Sequence, residues 1–334
     1  MANDASYFRT PGGPHAVRVT EVSPRDGLQN EPRVISTPEK VRLASALAGC
    51  GVEEVEVSSF VSPRWIPQLG DATEVFDGLA RGGVDIAPGA PWLSALVPNE
   101  RGLASALAVN ERWGRRVIRK VSVFTAASET FCRKNINATI AESIERFVPV
   151  VAGARSAGLV VRGYVSCVIA CPFEGAIDPA AVARVAGMLR GIGVDELDLG
   201  DTIGAGDAAS TERVLAAVDL EWPITGVGEV DFAGGRGMVT LHLHDTFGRA
   251  VECVRAGLAA GVRSFDASAA GLGGCPYAGR EGKRAPGNID TGALVREIRR
   301  AGYAVGVDGP RLEDAASLAR SLVAGAGGGE AVAR

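Results

Sequence analysis

The order of hydrophobic and polar positions along the chain predicts an alternation of short strands and longer helices. Runs rich in Val, Leu and other apolar residues are separated by Ala- and Leu-rich stretches with helical periodicity. This alternation is typical of repeated strand–helix units around a parallel sheet. The pattern predicts eight strands: Val17–Val22, Glu54–Ser58, Leu93–Val97, Arg119–Phe124, Val160–Cys167, Glu196–Leu199, Val239–His244 and Arg263–Ala267.

Eight such units predict an α/β protein with the (β/α)8 TIM-barrel fold, which needs roughly 250 residues. The first predicted helix begins at Thr37-Pro38-Glu39, where proline follows a capping residue, and it ends near Gly49. Asn99, Asn135 and Asp178 are expected to begin later helices in the same way. An open doubly wound sheet has the same alternation, and periodicity alone leaves that alternative open.

The domain organisation predicted from the sequence is a single barrel with short extensions. We expect a flexible N-terminal extension over residues 1–16, a catalytic barrel over 17–304, and a C-terminal helix with a frayed Gly-rich tail over 305–334. No linker-like stretch divides these 334 residues, which are enough for one large barrel.

Composition excludes several classes of partner. The formal net charge is −4 and no block of basic residues occurs, so we expect neither nucleic acid nor an anionic membrane as a partner. No apolar stretch approaches the roughly 18 residues of a spanning helix, and the first residues lack the order of a signal peptide. We therefore expect a cytoplasmic protein. Its six cysteines lack a Cys-x-x-Cys pair, which favours reduced thiols, with Cys167 and Cys171 structural.

Candidate metal ligands lie at the ends of two of the predicted strands. His242 and His244 are two residues apart in a strand and therefore face the same side, while Asp26 follows Arg25 after the first strand. One carboxylate and two imidazoles suit a six-coordinate Mg²⁺ or Mn²⁺ ion better than zinc. The alternatives are two polar residues at an exposed strand end and a surface Arg25–Asp26 salt bridge. In a barrel of this kind, chemistry collects at the C-terminal ends of the strands.

A glycine-rich loop follows the eighth predicted strand and contains one cysteine, Cys275. Such a loop can close over the barrel mouth and bring a thiol to a substrate. The alternative is a buried cysteine that acts as a small hydrophobic residue. Glycines on both sides of Cys275 favour the loop with a function.

Several long motifs occur in an order that resembles the 3-hydroxy-3-methylglutaryl-CoA lyases, of the DRE-TIM metallolyase superfamily. The resemblance runs from about Val17 to Arg299. Its motifs are Ser23-Pro24-Arg25-Asp26-Gly27-Leu28-Gln29-Asn30, Ser59-Phe60-Val61-Ser62-Pro63-Arg64-Trp65-Ile66-Pro67-Gln68, Arg162-Gly163-Tyr164-Val165-Ser166-Cys167, Leu199-Gly200-Asp201-Thr202-Ile203-Gly204, His242-Leu243-His244-Asp245-Thr246 and Gly271-Leu272-Gly273-Gly274-Cys275-Pro276-Tyr277-Ala278.

This resemblance implies a role for each matching residue. The divalent cation, Mg²⁺ or Mn²⁺, would be bound by Asp26, His242, His244 and Asn288. The catalytic residues would be Arg25, which stabilises an enolate oxygen, Glu56 and Cys275, and we add the hypothesis that His242 acts as a base. The substrate contacts would be Arg25, Ser59 and Asp201, with residues 135–137 near the site.

The reaction implied is a retro-Claisen cleavage of 3-hydroxy-3-methylglutaryl-CoA to acetyl-CoA and acetoacetate, as in leucine degradation. The partners implied are an acyl-CoA thioester and further copies of the chain, in a dimer or larger. The alternatives are a lyase for a related thioester such as citramalyl-CoA or a longer-chain 3-hydroxyglutaryl-CoA derivative, a condensing synthase of the same superfamily, and a binding or scaffold protein. Gly273-Gly274-Cys275 argues against the synthase, whose loop usually reads Gly-Glu-Arg.

The chain departs from the family pattern at two places. The segment between Cys275 and Asn288 is longer than usual, and its Arg280, Lys283 and Arg284 could meet CoA phosphates, although a solvated loop is the simpler interpretation. Asp198 stands where the family commonly has serine, and a carboxylate there could change contacts to the acyl group. The stretch from Gly226 to Gly237 is expected to be a surface loop.

Overall fold

Eight parallel strands close into a barrel in the computed structural model, which describes residues 16–224, 237–274 and 287–324. Each strand pairs with the next along the chain, and Arg18–Glu21 pairs in parallel with Ser264–Ala267 to close the sheet. The prediction of a (β/α)8 barrel is confirmed, and closure excludes the open doubly wound sheet. The strands are β1 Arg18–Glu21, β2 Glu54–Ser59, β3 Trp92–Leu96, β4 Lys120–Ala126, β5 Val160–Ser166, β6 Glu196–Asp201, β7 Met238–Leu243 and β8 Ser264–Ala267.

Helices cover the outside of the barrel and begin mostly at polar caps. The side chain of Asn99 accepts a hydrogen bond from the Gly102 amide at 3.0 Å, and Asp178 accepts one from the Ala180 amide at 2.9 Å, as the sequence predicts. The helices are α1 Thr37–Ala48, α2 Ala72–Arg81, α3 Glu100–Trp113, α4 Glu129–Ile136, α5 Ile140–Ser156, α6 Pro179–Gly191, α7 Ala208–Glu221, α8 Ala250–Ala259, α9 Thr291–Arg300 and α10 Gly309–Ala324.

The prediction that Asn135 begins a helix is wrong. Asn135 lies in the last turn of α4, where its side chain donates a hydrogen bond to the Phe131 carbonyl at 2.9 Å. Asn137 then takes a left-handed conformation with φ 49°, and Thr139 begins α5 by accepting from the Glu142 amide at 3.1 Å. Thr139 and Glu142 form a reciprocal capping box, which is a stronger start signal than an isolated asparagine.

Charged side chains fill the lower interior of the barrel. The guanidinium group of Arg162, 0% exposed, lies 3.2 Å from Glu196 and 3.4 Å from Glu54. Lys120 contacts the same two carboxylates at 2.5 and 2.6 Å, and Arg18 contacts them at 2.9 and 3.1 Å. Because strand side chains alternate between the two faces, these inward positions form one level beneath the mouth. We call these five residues, Arg18, Glu54, Lys120, Arg162 and Glu196, the ionic layer.

The C-terminal helix packs on the barrel's outer helices. In α10, Leu312, Ala315 and Ala319 are buried, and the Asp308 amide before it donates to the Cys50 carbonyl at 2.7 Å. The predicted C-terminal helix is therefore present, and its expected frayed tail lies outside the described residues, as does most of the N-terminal extension. The five described cysteines are buried, and no disulfide joins any two of them. Within the described ranges, every helix is too short or too polar to cross a bilayer.

Candidate active site

A cavity of about 630 Å³ opens at the C-terminal ends of the strands. Its polar part is formed by Arg25 and Asp26 after β1 and by His242 and His244 at the end of β7. Its lining also includes the apolar residues Phe124, Phe131, Ile136 and Phe147. Catalytic groups of barrel enzymes lie at this end of the barrel, so the cavity is the candidate active site.

A tight turn after β1 places Arg25 and Asp26 at the cavity. Residues Ser23–Gly27 form a single π-helical turn, in which the Asp26 amide donates to the Val22 carbonyl at 2.8 Å. Gly27 lets the loop after β8 approach, because a Cβ at this position would lie 3.0 Å from Leu272. Such single turns often occur at functional sites, where they direct a side chain that a regular turn would not.

The two histidines are held by hydrogen bonds at the ring nitrogen that faces away from the cavity. Nδ1 of His244 donates to the Asp201 backbone carbonyl at 3.0 Å, and a carbonyl can only accept. Nδ1 of His242 lies 3.1 Å from Oδ2 of Asp266, a carboxylate that keeps the proton on this nitrogen. In both rings Nε2 is therefore the nitrogen left to act as a ligand. This arrangement is the one that proteins use to orient metal-binding histidines.

The donor atoms of Asp26, His242 and His244 lie within 4.8 Å of one another, and Nε2 of His242 is 3.9 Å from Oδ2 of Asp26. Burial alone would raise the pKa of the Asp26 carboxyl, but Arg25 and the two imidazoles together lower it to about 2. Burial, together with neighbouring His242, lowers the pKa of His244 to about 4. Metal ligands must be deprotonated. At neutral pH Asp26 and His244 are deprotonated, and one carboxylate with two imidazoles fits a hard divalent cation.

Asn288 reaches the same place from the segment before α9. Its amide nitrogen donates to Oδ2 of Asp26 at 2.7 Å and to the Leu272 carbonyl at 3.0 Å. A Cβ on Gly273 would lie 2.6 Å from that nitrogen, so a glycine with positive φ is needed there. The structure thus brings together all four residues of the predicted metal set, and the amide of Asn288 carries the neutral oxygen that Mg²⁺ and Mn²⁺ accept.

Arg25 is fixed by carboxylates on both sides. Its Nε and Nη2 lie 2.6 and 2.5 Å from Oε2 of Glu56, and its Nη1 lies 2.7 Å from Oδ1 of Asp26. Glu56 also accepts from Ser122 at 3.0 Å and from the Tyr164 hydroxyl at 3.1 Å. The predicted catalytic Glu56 is thus 1% exposed beneath Arg25. It orients the guanidinium group and reaches the cavity through Tyr164.

Two residues with clear positions in the site, Tyr164 and Asp266, were not predicted as functional. The hydroxyl of Tyr164 lies 3.3 Å from Asp266, and the Tyr164 ring lines the cavity. Asp266 also accepts from Arg162 at 2.9 Å, and although burial opposes it, this contact and His242 keep the Asp266 pKa below its usual range. Tyr164 follows Arg162 at the next inward position of β5. Strand alternation was the signal that could have identified it.

Asp198, the departure noted in the sequence, lies beneath His242 and is fully buried. Its Oδ2 is 3.4 Å from Arg162, while its Oδ1 has no hydrogen-bond partner. Burial, and then the neighbouring Asp266 carboxylate, raise the pKa of Asp198 well above its usual value. Both effects favour the protonated, uncharged form of Asp198, and the residue is not part of the cavity lining.

Replacing Asp198 by asparagine should change little, because asparagine has the same shape and, like the favoured form of Asp198, carries no charge. We expect the free energy of unfolding of Asp198→Asn to stay within about 1 kcal/mol of the wild type in urea titrations at pH 7. Asp198→Ser, which restores the residue common in the family, should behave similarly apart from a small cavity. A marked stabilisation by asparagine would show instead that Asp198 is ionised and repels Asp266.

The remaining predicted residues have different positions. The Asp201 carboxylate accepts from the Gly206 and Ala205 amides at 2.7 and 3.1 Å, and burial raises its pKa to about 6. It therefore shapes the loop after β6. Ser59 is fully buried, with its hydroxyl unpartnered, so substrate contact by Asp201 or Ser59 stays a prediction. Residues 135–137 line the cavity. Cys275, the basic part of its loop and most of the stretch from Gly226 lie outside the described residues.

Comparisons with known proteins identify the family of this chain. Residues 16–319 match the HMGL-like family. The hydroxymethylglutaryl-CoA lyase of Pseudomonas mevalonii is 46% identical over 88% of this chain and 88% of its own length. A lyase of Pseudomonas aeruginosa named for 3-hydroxy-3-isohexenylglutaryl-CoA and hydroxymethylglutaryl-CoA is 42% identical over 90% of this chain and 91% of its own.

Among solved structures, the HMG-CoA lyase from Brucella melitensis superposes with a TM-score of 0.82 at 41% identity, covering 93% of this chain and 100% of that one. The resemblance drawn from the sequence motifs is thereby confirmed. The chain belongs to the HMGL-like family of the DRE-TIM superfamily, among relatives that are hydroxymethylglutaryl-CoA lyases.

Proposed function

We propose that this protein is a divalent-metal-dependent lyase that cleaves 3-hydroxy-3-methylglutaryl-CoA to acetyl-CoA and acetoacetate. The observation that carries the proposal is the convergence of Asp26, His242, His244 and Asn288 beside Arg25 at one cavity. The names of relatives at 42–46% identity support the substrate. A scaffold protein would have no use for this combination of groups.

Arg25 and Glu56 act as a unit in this proposal. When bound, Mg²⁺ or Mn²⁺ supplies a Lewis acid that makes the tertiary hydroxyl of the substrate easier to deprotonate. Arg25, already oriented by Glu56, stabilises the negative charge that develops on the thioester oxygen as the carbon–carbon bond breaks. Its preorganisation matters because little rearrangement is then needed during the reaction.

The proton of the hydroxyl goes to Tyr164 and Glu56 rather than to His242. Only Nε2 of His242 faces the cavity, and one nitrogen cannot bind a cation and accept a proton at once. We therefore assign His242 to the ligand set alone, which revises its expected second role as base. Tyr164 lines the cavity, and its hydroxyl donates to Oε2 of Glu56 at 3.1 Å. The hydroxyl can therefore give its own proton to that carboxylate as it accepts the proton of the substrate.

Cys275 is assigned to the protonation of the departing acetyl-CoA enolate. The residue before it, Gly274, lines the cavity and accepts a hydrogen bond from Asn30 at 3.3 Å. We expect Cys275→Ala to lower turnover by about 10²-fold or more, because general acid catalysis contributes this much, while the metal affinity stays unchanged. Cys253→Ala, at a buried cysteine of the outer α8, is the matched control. Full turnover by the Cys275 variant would leave the cysteine without a catalytic role.

The proposal is tested with a panel of thioesters. Purified protein with Mg²⁺ or Mn²⁺ should release acetyl-CoA and acetoacetate from 3-hydroxy-3-methylglutaryl-CoA, and excess chelator should stop the reaction. Two related substrates are tested alongside it: citramalyl-CoA and a 3-hydroxyglutaryl-CoA derivative with a longer branch. The name of the Pseudomonas aeruginosa relative favours the longer-branched derivative. Acetyl-CoA offered with keto acids tests the condensing direction. Failure with every thioester would refute the proposal.

Two further expectations accompany it. We propose that the protein acts in the cytoplasm and as a homo-oligomer, a dimer or larger. Cell fractionation tests the location, and light scattering of the purified protein tests the oligomeric state.

A further inference from the structure

A tryptophan on the rim of the cavity is largely exposed to water. Trp65 lines the cavity and is 75% exposed, whereas Phe131, Phe147 and Tyr164, which line it deeper, are at most 7% exposed. Single exposed aromatic residues are ordinary at protein surfaces, but one at the edge of a cavity is placed where a ligand that extends past the edge would contact it. The position of Trp65 therefore points to a ligand that extends out of the cavity.

The loop that carries Trp65 is held firmly. The Trp65 and Ile66 amides both donate to the Ser62 carbonyl, at 2.9 and 3.2 Å. Gln68, three residues after Trp65, is 6% exposed, donates to the Arg33 carbonyl at 2.7 Å and accepts from the Ile35 amide at 3.0 Å. The indole is thus presented by an ordered turn, and little conformational entropy is lost when a flat ring stacks on it.

The chemistry around the indole suits a nucleotide. Arg64, the residue before it in the chain, is also exposed, so a cation adjoins the aromatic residue in a protein whose net charge is −4. An acyl-CoA has its reacting thioester at one end and an adenine ring with phosphates at the other. With the thioester at Arg25, the nucleotide end would leave through the mouth of the cavity.

We propose that Trp65 is the stacking platform for the adenine ring of the acyl-CoA substrate. This inference rests on the proposed function. Adenine stacks on an indole through its π face, as bases do on aromatic side chains of nucleic-acid-binding proteins. Trp65 is thereby a specificity residue for the carrier portion of the substrate and takes no part in bond cleavage.

The test compares two substrates with the same acyl group. One is 3-hydroxy-3-methylglutaryl-CoA, and the other is the corresponding N-acetylcysteamine thioester, which lacks the nucleotide. Trp65→Ala should raise KM for the CoA thioester about tenfold and leave kcat unchanged, since base stacking is worth roughly this factor. KM for the truncated thioester should not change. Trp65→Phe should keep most of the affinity, and Leu220→Ala, at a residue 84% exposed on α7, is the control.

Each other outcome overturns the inference or the function beneath it. Equal changes in KM for both thioesters, or no change for either, would show that Trp65 does not bind adenine. The exposed indole and Val34, which is 78% exposed, could instead contact a second copy of the chain. If Trp65→Ala lost an oligomer in light scattering, and KM for both thioesters changed alike, Trp65 would be a contact between copies of the chain. If the wild type cleaves neither thioester with Mg²⁺ or Mn²⁺, the proposed function itself fails.

Discussion

Replacing His244 by alanine is expected to lower metal-dependent turnover by about a thousandfold or more. The imidazole supplies one of the two nitrogen ligands, and the charge stabilisation contributed by a divalent ion is several kcal/mol, or roughly three powers of ten in rate. Asp26→Ala should have an effect of the same size, because it removes the one charged oxygen of the set. The measurement is the rate of acetyl-CoA release at saturating substrate and increasing Mn²⁺.

Metal affinity separates this explanation from a general loss of structure. Titration of Mn²⁺ followed by electron paramagnetic resonance should show weak or no binding to both variants, while their unfolding in urea stays close to that of the wild type. The Mn²⁺ affinity of Asp266→Asn should lie between that of the wild type and those of the two alanine variants. We expect it to be about 10- to 100-fold weaker than in the wild type, since this change removes only the carboxylate that orients His242. Glu313→Ala, whose side chain is 71% exposed on α10, should bind Mn²⁺ normally. Undiminished turnover of His244→Ala in excess chelator would contradict the metal centre.

The metal set could be predicted because its members follow simple rules of position. His242 and His244 face one way since strand side chains alternate, and Asp26 follows β1, which only β8 separates from β7, so their convergence needs only the closed barrel. Asn288 came only from the family resemblance. It reaches Asp26 through a close approach at Gly273, which the spacing of residues does not indicate.

Other features depend on contacts between segments that are far apart in the sequence. The π-helical turn at Ser23–Gly27 and the role of Asp201, which orients His244 through its backbone carbonyl, have no local pattern. The strands enclosing the interior contain charged residues such as Glu54 and Lys120, and a pattern search scores these as polar and solvent-facing. Only the closed sheet turns them inward and pairs them, because each carboxylate then meets a cation from another strand.

Replacing Arg162 by methionine is expected to lower the free energy of unfolding by about 3–5 kcal/mol, the cost of removing one partner from a buried ionic cluster. Its guanidinium group bonds to Glu196 and Thr20 and also to Asp266, the carboxylate that orients His242. Methionine fills much of the volume but leaves these acceptors without their cation. The measurement is urea unfolding at pH 7. Arg320→Met is the matched control, since Arg320 is 52% exposed in its pair with Glu313 and should change stability by less than about 0.5 kcal/mol.

The same variant also tests whether the ionic layer supports the site above it. Because Arg162 holds Asp266 and lies 3.4 Å from the Tyr164 hydroxyl, Arg162→Met should also weaken Mn²⁺ binding under conditions where the variant is fully folded. Arg162→Lys keeps the charge but cannot bridge several acceptors at once. Its free energy of unfolding should therefore lie between those of the wild type and Arg162→Met. If Arg162→Met were as stable as the wild type, Lys120 and Arg18 alone would be enough to balance the charges of Glu54 and Glu196. If it also bound Mn²⁺ as tightly, the geometry of the metal site would not depend on the ionic layer.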